Sequence, residues 1–261
     1  PLTIEIEKEG YVGAPPTATA PATINVTCLA DVPAPDPLII TDATSDTGNA
    51  PIVSFVSDTS NGNSCPEIIT RVYSVVDDCG SAILLSQTIT VNDTIAPVIS
   101  TTEKSLDSTL EYSDSIGIST ALALTPAATD NCTTSPNINL VSDIITPDPN
   151  CENTYVRVRT WNFTDDCNNT SADFVQTIIV QDTTAPIIDN TNTTNIEIEC
   201  GVDDFNELEL WLTNHANSTV TNSGDNITWS NDYNSNDAVQ CENGPITVTF
   251  IASDNCGNSS S

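Results

Sequence analysis

Three stretches of the chain, Ile68 to Val76, Tyr155 to Phe163 and Ile246 to Ala252, alternate apolar and polar positions with a period of two. That period belongs to strands with one face buried. Each stretch runs into an acidic turn ending in cysteine: Asp77-Asp78-Cys79, Asp165-Asp166-Cys167 and Asp254-Asn255-Cys256. Aligned on the turn, Tyr73, Trp161 and Phe250 share one position, and Val75, Phe163 and Ala252 share the position two residues later. This face is expected to form the core. The pattern Q-T-I-x-V recurs at Gln87 to Val91 and Gln176 to Val180, and predicts a closing strand in two of the three copies. Each is followed by D-T-x-A-P, ending at Pro97 and Pro186. Proline fixes φ and donates no hydrogen bond, so it ends one sheet and stiffens the approach to the next.

Asp93 and Asp182 stand 89 residues apart, the length of one small sandwich domain. A repeat of that size sets the architecture before any single residue is interpreted. The boundaries predict modules at 21–96, 97–185 and 186–261. Residues 1–20, which end in a degenerate TATAP, read as the closing strand (Leu2 to Glu7) and linker of a preceding module. The third module lacks its closing strand. It also differs within, because Asp203 and Asp204 precede Phe205, Leu208, Leu212 and His215, which are spaced as one helix face with acids at its N-terminus. One short helix is expected there.

Composition narrows the function. Five Lys and Arg stand against 36 Asp and Glu, a formal net charge of −31 over 261 residues. Such a surface repels nucleic acid and anionic membranes, and attracts divalent cations or basic partners. Strong acidity can accompany disorder, but 38% hydrophobic residues in regular alternation argue for folded modules. The sequence has no methionine and no apolar run long enough to cross a membrane, so it is expected to be an internal piece of a longer polypeptide without membrane insertion. Nine cysteines at recurring places in β-rich repeats point to an oxidising compartment. No C-x-x-C pair occurs and His215 is the one histidine, which speaks against zinc.

The run C-P-E-I-I-T-R-V-Y-S-V-V-D-D-C-G (Cys65 to Gly80), Q-T-I-T-V at 87–91 and the D-T-x-A-P joins resemble the HYR-like, immunoglobulin-type repeats of very large surface proteins of the Bacteroidota, including gliding-motility adhesins. The third repeat is similar to a variant with a short helix, at Phe205 to His215, followed by I-T-W-S-N-D-Y at Ile227 to Tyr233. The resemblance covers roughly residues 21–261. It implies an all-β fold of tandem immunoglobulin-like sandwiches, extracellular at the cell surface. Repeats of the family often carry four cysteines. Here repeat one has Asp46-Thr47-Gly48 in place of D-N-C-G, repeat two lacks the cysteine ending the first strand, and repeat three has Ser223-Gly224-Asp225 in the loop.

A strand of about ten residues separates Cys65 from Cys79 and spans roughly 30 Å at ~3.3 Å per residue. A disulfide needs Cα atoms within about 7 Å, so these two cannot pair. In an immunoglobulin-like topology the end of the first strand and the start of the penultimate one share a pole, and the second and penultimate loops share the other. The pairs expected on this basis are Cys28–Cys65, Cys132–Cys167 and Cys200–Cys241, with Cys79, Cys151 and Cys256 left over.

Carboxylates gather where modules should meet. Asp93 is expected beside Asp130, Asn131, Asp165 and Asp166, and Asp182 beside Asp225, Asp254 and Asn255. Hard oxygens drawn from two modules suit calcium; the plainer reading is solvated turn acids that satisfy nearby backbone donors. Arg71 and Arg159, two of the five cations, occupy equivalent core-register positions, which suggests a packed stem and a head group paired to a carboxylate. Asp46-Thr47-Gly48 resembles an aspartic-protease signature, yet no second such motif supplies the partner carboxylate. No catalytic constellation emerges. The expectation is a non-catalytic stalk region of a secreted surface adhesin, whose partners are neighbouring repeats of the same chain, surface polysaccharide or other copies of itself. The competing expectations are a filament subunit completed by strand exchange through residues 2–7, and a carbohydrate-binding module.

Overall fold

The computed structural model describes residues 13–198, 205–221, 226–235 and 245–261. The fold is all-β and immunoglobulin-like, with two short α-helices among the described residues. Residues Pro1–Thr102, Pro126–Val141 and Trp161–Phe174 make one compact unit, and Glu103–Thr125, Ser142–Thr160 and Val175–Ser261 make a second. Residues of the second sequence repeat thus belong to both.

The main sheet of the first unit contains β1 (Ile24–Val26), β2 (Ile52–Ser60), β3 (Glu67–Val76) and β4 (Ala82–Val91), in the order β1-β4-β3-β2. β1 runs parallel to β4, whereas β3 is antiparallel to both β4 and β2. Alternation along β3 turns Ile69, Arg71, Tyr73 and Val75 inward, all of them buried. Ile69, Ile89 and Val91 form a core with Ile24, Val26 and Val32 against it. Burying side chains of this size stabilises by about 1.5–3 kcal/mol each. The small pair β5 (Val98–Ile99) and β7 (Ala128–Thr129) follows the first linker.

The second sheet repeats the topology. β6 (Ser108–Glu111) lies parallel to β10 (Phe174–Gln181), with β9 (Tyr155–Thr164) and β8 (Asn137–Pro147) following in the order β6-β10-β9-β8. In the second unit Ala121, Ile178 and Val180 pack with Leu110, Ile118, Leu122 and Tyr155. Helix α1 (Ser115–Ala123) supplies three of those residues. It was not expected: its apolar residues surround the axis instead of following a 3.6-residue stripe, and it includes glycine and β-branched residues. The local signal is Asp114, whose side chain caps the helix by accepting from Gly117 N–H at 2.8 Å.

In the third repeat the expected helix is present as α2 (Phe205–Thr213), with Leu208 buried. Asp203 and Asp204 lie outside the described residues. β11 (Ile188–Asp189) pairs with β12 (Thr219–Val220), and β13 (Thr228–Asn231), β14 (Phe250–Ser253) and β15 (Ser259–Ser260) form a sheet in that order. The strand expected from Ile246 begins only at Phe250.

Candidate functional site

The acidic turn is built the same way three times. One carboxylate oxygen of Asp77 accepts from the backbone N–H of Cys79 and Ser81, at 2.9 and 2.8 Å. Asp165 does so from Cys167 and Asn169, both at 2.8 Å. Asp254 does so from Cys256 and Asn258, at 2.9 and 2.8 Å. All three aspartates are buried. The turn holds its cysteine on a loop that the aspartate makes rigid. The side chains of Asn169 and Asn258 then donate to the backbone carbonyls of the linker aspartates, Asp93 at 3.0 Å and Asp182 at 3.1 Å. The second and third turns therefore grip the linkers that precede their own repeats.

The disulfides correct the expected pairing. Cys28 bonds Cys132, Cys65 bonds Cys167 and Cys151 bonds Cys256, with Cα separations of 5.1, 5.2 and 4.5 Å. Cys28 and Cys65 do share a pole, but Val26 and Glu67 both face Val91, one from each side of β4. Two strand spacings of about 4.8 Å separate them, beyond disulfide reach. Cys132 and Cys167 sit on neighbouring loops, where Asp166 N–H donates to the Thr133 hydroxyl at 3.2 Å, yet each bonds a different cysteine of repeat one. Cys151 and Cys256, read as left over, bond each other. The proposed pair Cys200–Cys241 lies outside the described residues.

Three of the expected metal-ligating residues come together. Asp93, Asp130 and Asp165 place carboxylate oxygens within 4.8 Å of one another. Asp93 and Asp165 are buried, and Asp130 is half-buried. Asp93 Oδ1 accepts from Ile95 N–H at 3.0 Å and from the Asn131 amide at 3.3 Å. Asp130 Oδ2 accepts from Cys132 and Thr133 N–H at 3.0 and 2.8 Å. Asp93 Oδ2 and Asp130 Oδ1 are buried without a hydrogen-bond donor. Asp166 does not join the cluster and is exposed. At the second linker Asp182 caps its own turn through Thr184 N–H at 2.9 Å, while Asp225 lies outside the described residues. Asp77, Asp78 and Cys79 form a further small group within one turn.

The arginines divide differently from the sequence alignment. Arg71, buried on β3, forks onto Asp58 through Nε and Nη2, both at 2.9 Å, and these bonds hold its guanidinium above its ordinary pKa. In repeat two the fork belongs to Arg157, which grips Asp143 through two bonds of 2.7 Å. The Arg157 hydrogen bonds, then the charges of Arg157 and Arg159, hold the Asp143 carboxyl below its usual range. Arg159, at the position equivalent to Arg71, keeps a looser ion pair with the same Asp143 at 3.7 Å, and donates to the Leu122 carbonyl at 2.9 Å and to Gln176 at 3.3 Å, closing the C-terminal end of α1. Burial lowers its pKa.

Sequence reading missed two glutamines. Gln87 and Gln176, buried within Q-T-I-x-V, donate to Ala22 O and Leu106 O, each at 2.8 Å, and so tie each closing strand to the start of its repeat. Their recurrence at one position was the available signal. Tyr73 and Trp161 are buried and Phe250 is half-buried, facing Trp211 at 5.3 Å. Trp211 donates to Thr194 O at 2.6 Å, and Trp229 stacks on His215 at 4.3 Å. Asp46 is exposed and accepts from Ala14 N–H at 2.8 Å.

These features define a disulfide-joined β-repeat protein. Residues 100–180 match the family described as HYR-like domain with 4 cysteines. Among solved structures the chain is similar to Drosophila N-cadherin EC1-4, at 10% identity over 65% of this chain and 50% of that one, with a TM-score of 0.29. It is also similar to the human desmocollin-1 ectodomain, at 12% identity over 94% of this chain and 60% of that one, with a TM-score of 0.26. The chain thus spans 50% and 60% of the length of these two. No curated protein matches it. Among the described residues, no helix is long and apolar enough to cross a membrane, which says nothing of a β-barrel.

Proposed function

We propose that this chain is a non-catalytic, tension-bearing stalk segment of a secreted surface protein, an adhesin or filament of the gliding type, in which covalent clamps hold successive modules together. One observation carries the reading: among the described residues, every disulfide joins a sequence repeat to the next one and none closes within a repeat. A domain that needed a disulfide only for its own stability would place it internally. A chain that transmits pull gains from bonds that bypass the folded modules. Strong negative charge keeps neighbouring stalks apart, and calcium enters this reading as a second clamp at the first join.

Of the competing readings, strand exchange through residues 2–7 falls outside the described residues. A carbohydrate platform would need an open aromatic face. Trp161 is buried, Trp211 is hydrogen-bonded over Phe250, and Trp229 is stacked on His215.

Single-molecule pulling from both ends tests the proposal. With Cys28–Cys132 and Cys151–Cys256 closed, only residues 1–28, 132–151 and 256–261 can extend after unfolding. At ~3.5 Å per residue these stretch to roughly 180 Å, against about 900 Å for the reduced chain. Equal contour lengths with and without reductant would refute the clamp.

A further inference from the structure

We infer that Asp93, Asp130 and Asp165 form a calcium site at the first join, beside the Cys28–Cys132 disulfide. The three come from separate segments: the linker after β4, the loop after β7 and the turn after β9. Local folding fixes each one. Asp93 caps the D-T-I-A-P turn, Asp130 caps the D-N-C loop, and Asp165 caps the turn that carries Cys167. These backbone bonds occupy one oxygen of each carboxylate. The other oxygen of Asp93 and that of Asp130 are buried with no donor, and that of Asp165 has only the Asn169 amide, at 2.8 Å.

An unpaired buried carboxylate oxygen is costly, and three like charges in one place multiply the cost. Among the described residues the ion pairs fall on Asp58 and Asp143, so no arginine neutralises this cluster. Turns that needed only capping would be served by one carboxylate oxygen each, with the second left in water, as at an ordinary Asx turn. Here one oxygen of each of the three carboxylates lies within 4.8 Å of the others. A point between three such oxygens is at most about 2.8 Å from each, so a small inward shift brings all three to the ~2.3–2.6 Å of a calcium–oxygen bond.

The donor set selects the ion. All donors are hard oxygens, and Cys28 and Cys132 are oxidised to each other, so no thiolate is at hand. Rigid caps at irregular angles suit the flexible coordination of calcium, and water can complete it. Magnesium demands a near-ideal octahedron. Asn131 connects the ion site to the disulfide: its amide lies 3.3 Å from Asp93 Oδ1 and 3.4 Å from Cys28 Sγ. The join then carries a permanent clamp and a reversible one on the same loop. The ion would fix the linker aspartate to both loops of the following repeat.

The test uses the whole oxidised chain, freed of metal with chelator and then titrated with calcium chloride, by calorimetry and thermal melting. The expected result is saturable binding with Tm raised by several degrees. Asp93→Asn and Asp130→Asn keep the capping oxygen and remove the charge. Without calcium they should melt at or above the wild type, because repulsion is relieved, yet the calcium-dependent rise should vanish. Glu103→Gln, at an exposed acid, should retain it. Superimposable wild-type melts with calcium and with chelator would overturn the site, as would an undiminished rise in both aspartate variants. An equal rise with magnesium at the same concentration would overturn the choice of ion. None of these outcomes alters the contour length set by the disulfides, so the site and the stalk can fail separately.

Discussion

A single aspartate per repeat organises the most conspicuous motif of the sequence. Asp77, Asp165 and Asp254 were legible as strand exits, because an acid after an alternating run marks a turn. Their burial was not legible, since nothing in D-x-C distinguishes an acid that faces water from one that caps two amides. The arginines show the same limit. Alignment on the turn pairs Arg71 with Arg159, but the fork that Arg71 makes to Asp58 is made in repeat two by Arg157 to Asp143. A two-residue change along one strand face moved the fork to Arg157 and left Arg159 a looser ion pair with Asp143, while α1, unforeseen, offered Arg159 carbonyls to bind. Asp143 gives a pH prediction with a definite sign. Its folded pKa is held low by the Arg157 bonds, so the stability it contributes is present above its unfolded value near ~4 and is lost as pH falls through the lower folded value. Asp143→Asn should cost roughly 1 kcal/mol at neutral pH. The gap to wild type should close as pH falls below about 4 and passes through the lowered folded value, as read in denaturant titrations. A gap that persisted unchanged at pH 2 would mean that packing, not charge, had been lost.

At the scale of elements, the strands were readable because a period of two survives translation into burial almost residue for residue, as along β3. Helix α1 was not readable for the opposite reason. A nine-residue helix with apolar residues on all sides has no stripe, and its stability comes from packing on Ile178 and Val180 and from one cap. Gly117 exposes that balance. A Cβ there would collide with the Asp114 carboxylate that caps the helix. Alanine is better than glycine inside a helix by up to ~1 kcal/mol, and losing the cap costs about 0.5–2 kcal/mol. Gly117→Ala should therefore yield little or no stability in the wild type. The same change in an Asp114→Ala background should stabilise by about 1 kcal/mol, because no cap remains to displace. A double-mutant cycle by thermal melting reads this coupling directly, and additive effects would show that a Cβ at position 117 leaves the cap undisturbed.

Across the whole molecule the disulfides of the described residues link successive repeats covalently, and here the sequence held more than the expected pairing used. The three bonds close separations of 104, 102 and 105 residues, nearly constant and somewhat longer than the 89-residue period. Repeat two lacks a cysteine at the end of its first strand, and repeat three lacks one in its loop. Those are the two positions that Cys28 and Cys132 occupy at the first join, so both partners of one bond are missing together at the second. Pairing within repeats leaves that joint loss unexplained, whereas pairing between repeats requires it. The energetics follow from loop length. Closing a loop of about 100 residues stabilises by roughly 4.7 kcal/mol in the chain-entropy model. The loops of Cys28–Cys132 and Cys65–Cys167 overlap, which shortens the loop added by the second bond to around 70 residues. Loop entropy varies with the logarithm of length, so this overlap removes only a few tenths of a kcal/mol. Cys28→Ser with Cys132→Ser, and separately Cys65→Ser with Cys167→Ser, should each lower stability by several kcal/mol, and by similar amounts, in non-reducing denaturation. Peptide mapping without reduction should recover the linked pairs 28–132, 65–167 and 151–256. A linked 28–65 peptide would return the bonds to the inside of each repeat, and either double variant would then break two bonds instead of one and cost as much as removing all four cysteines.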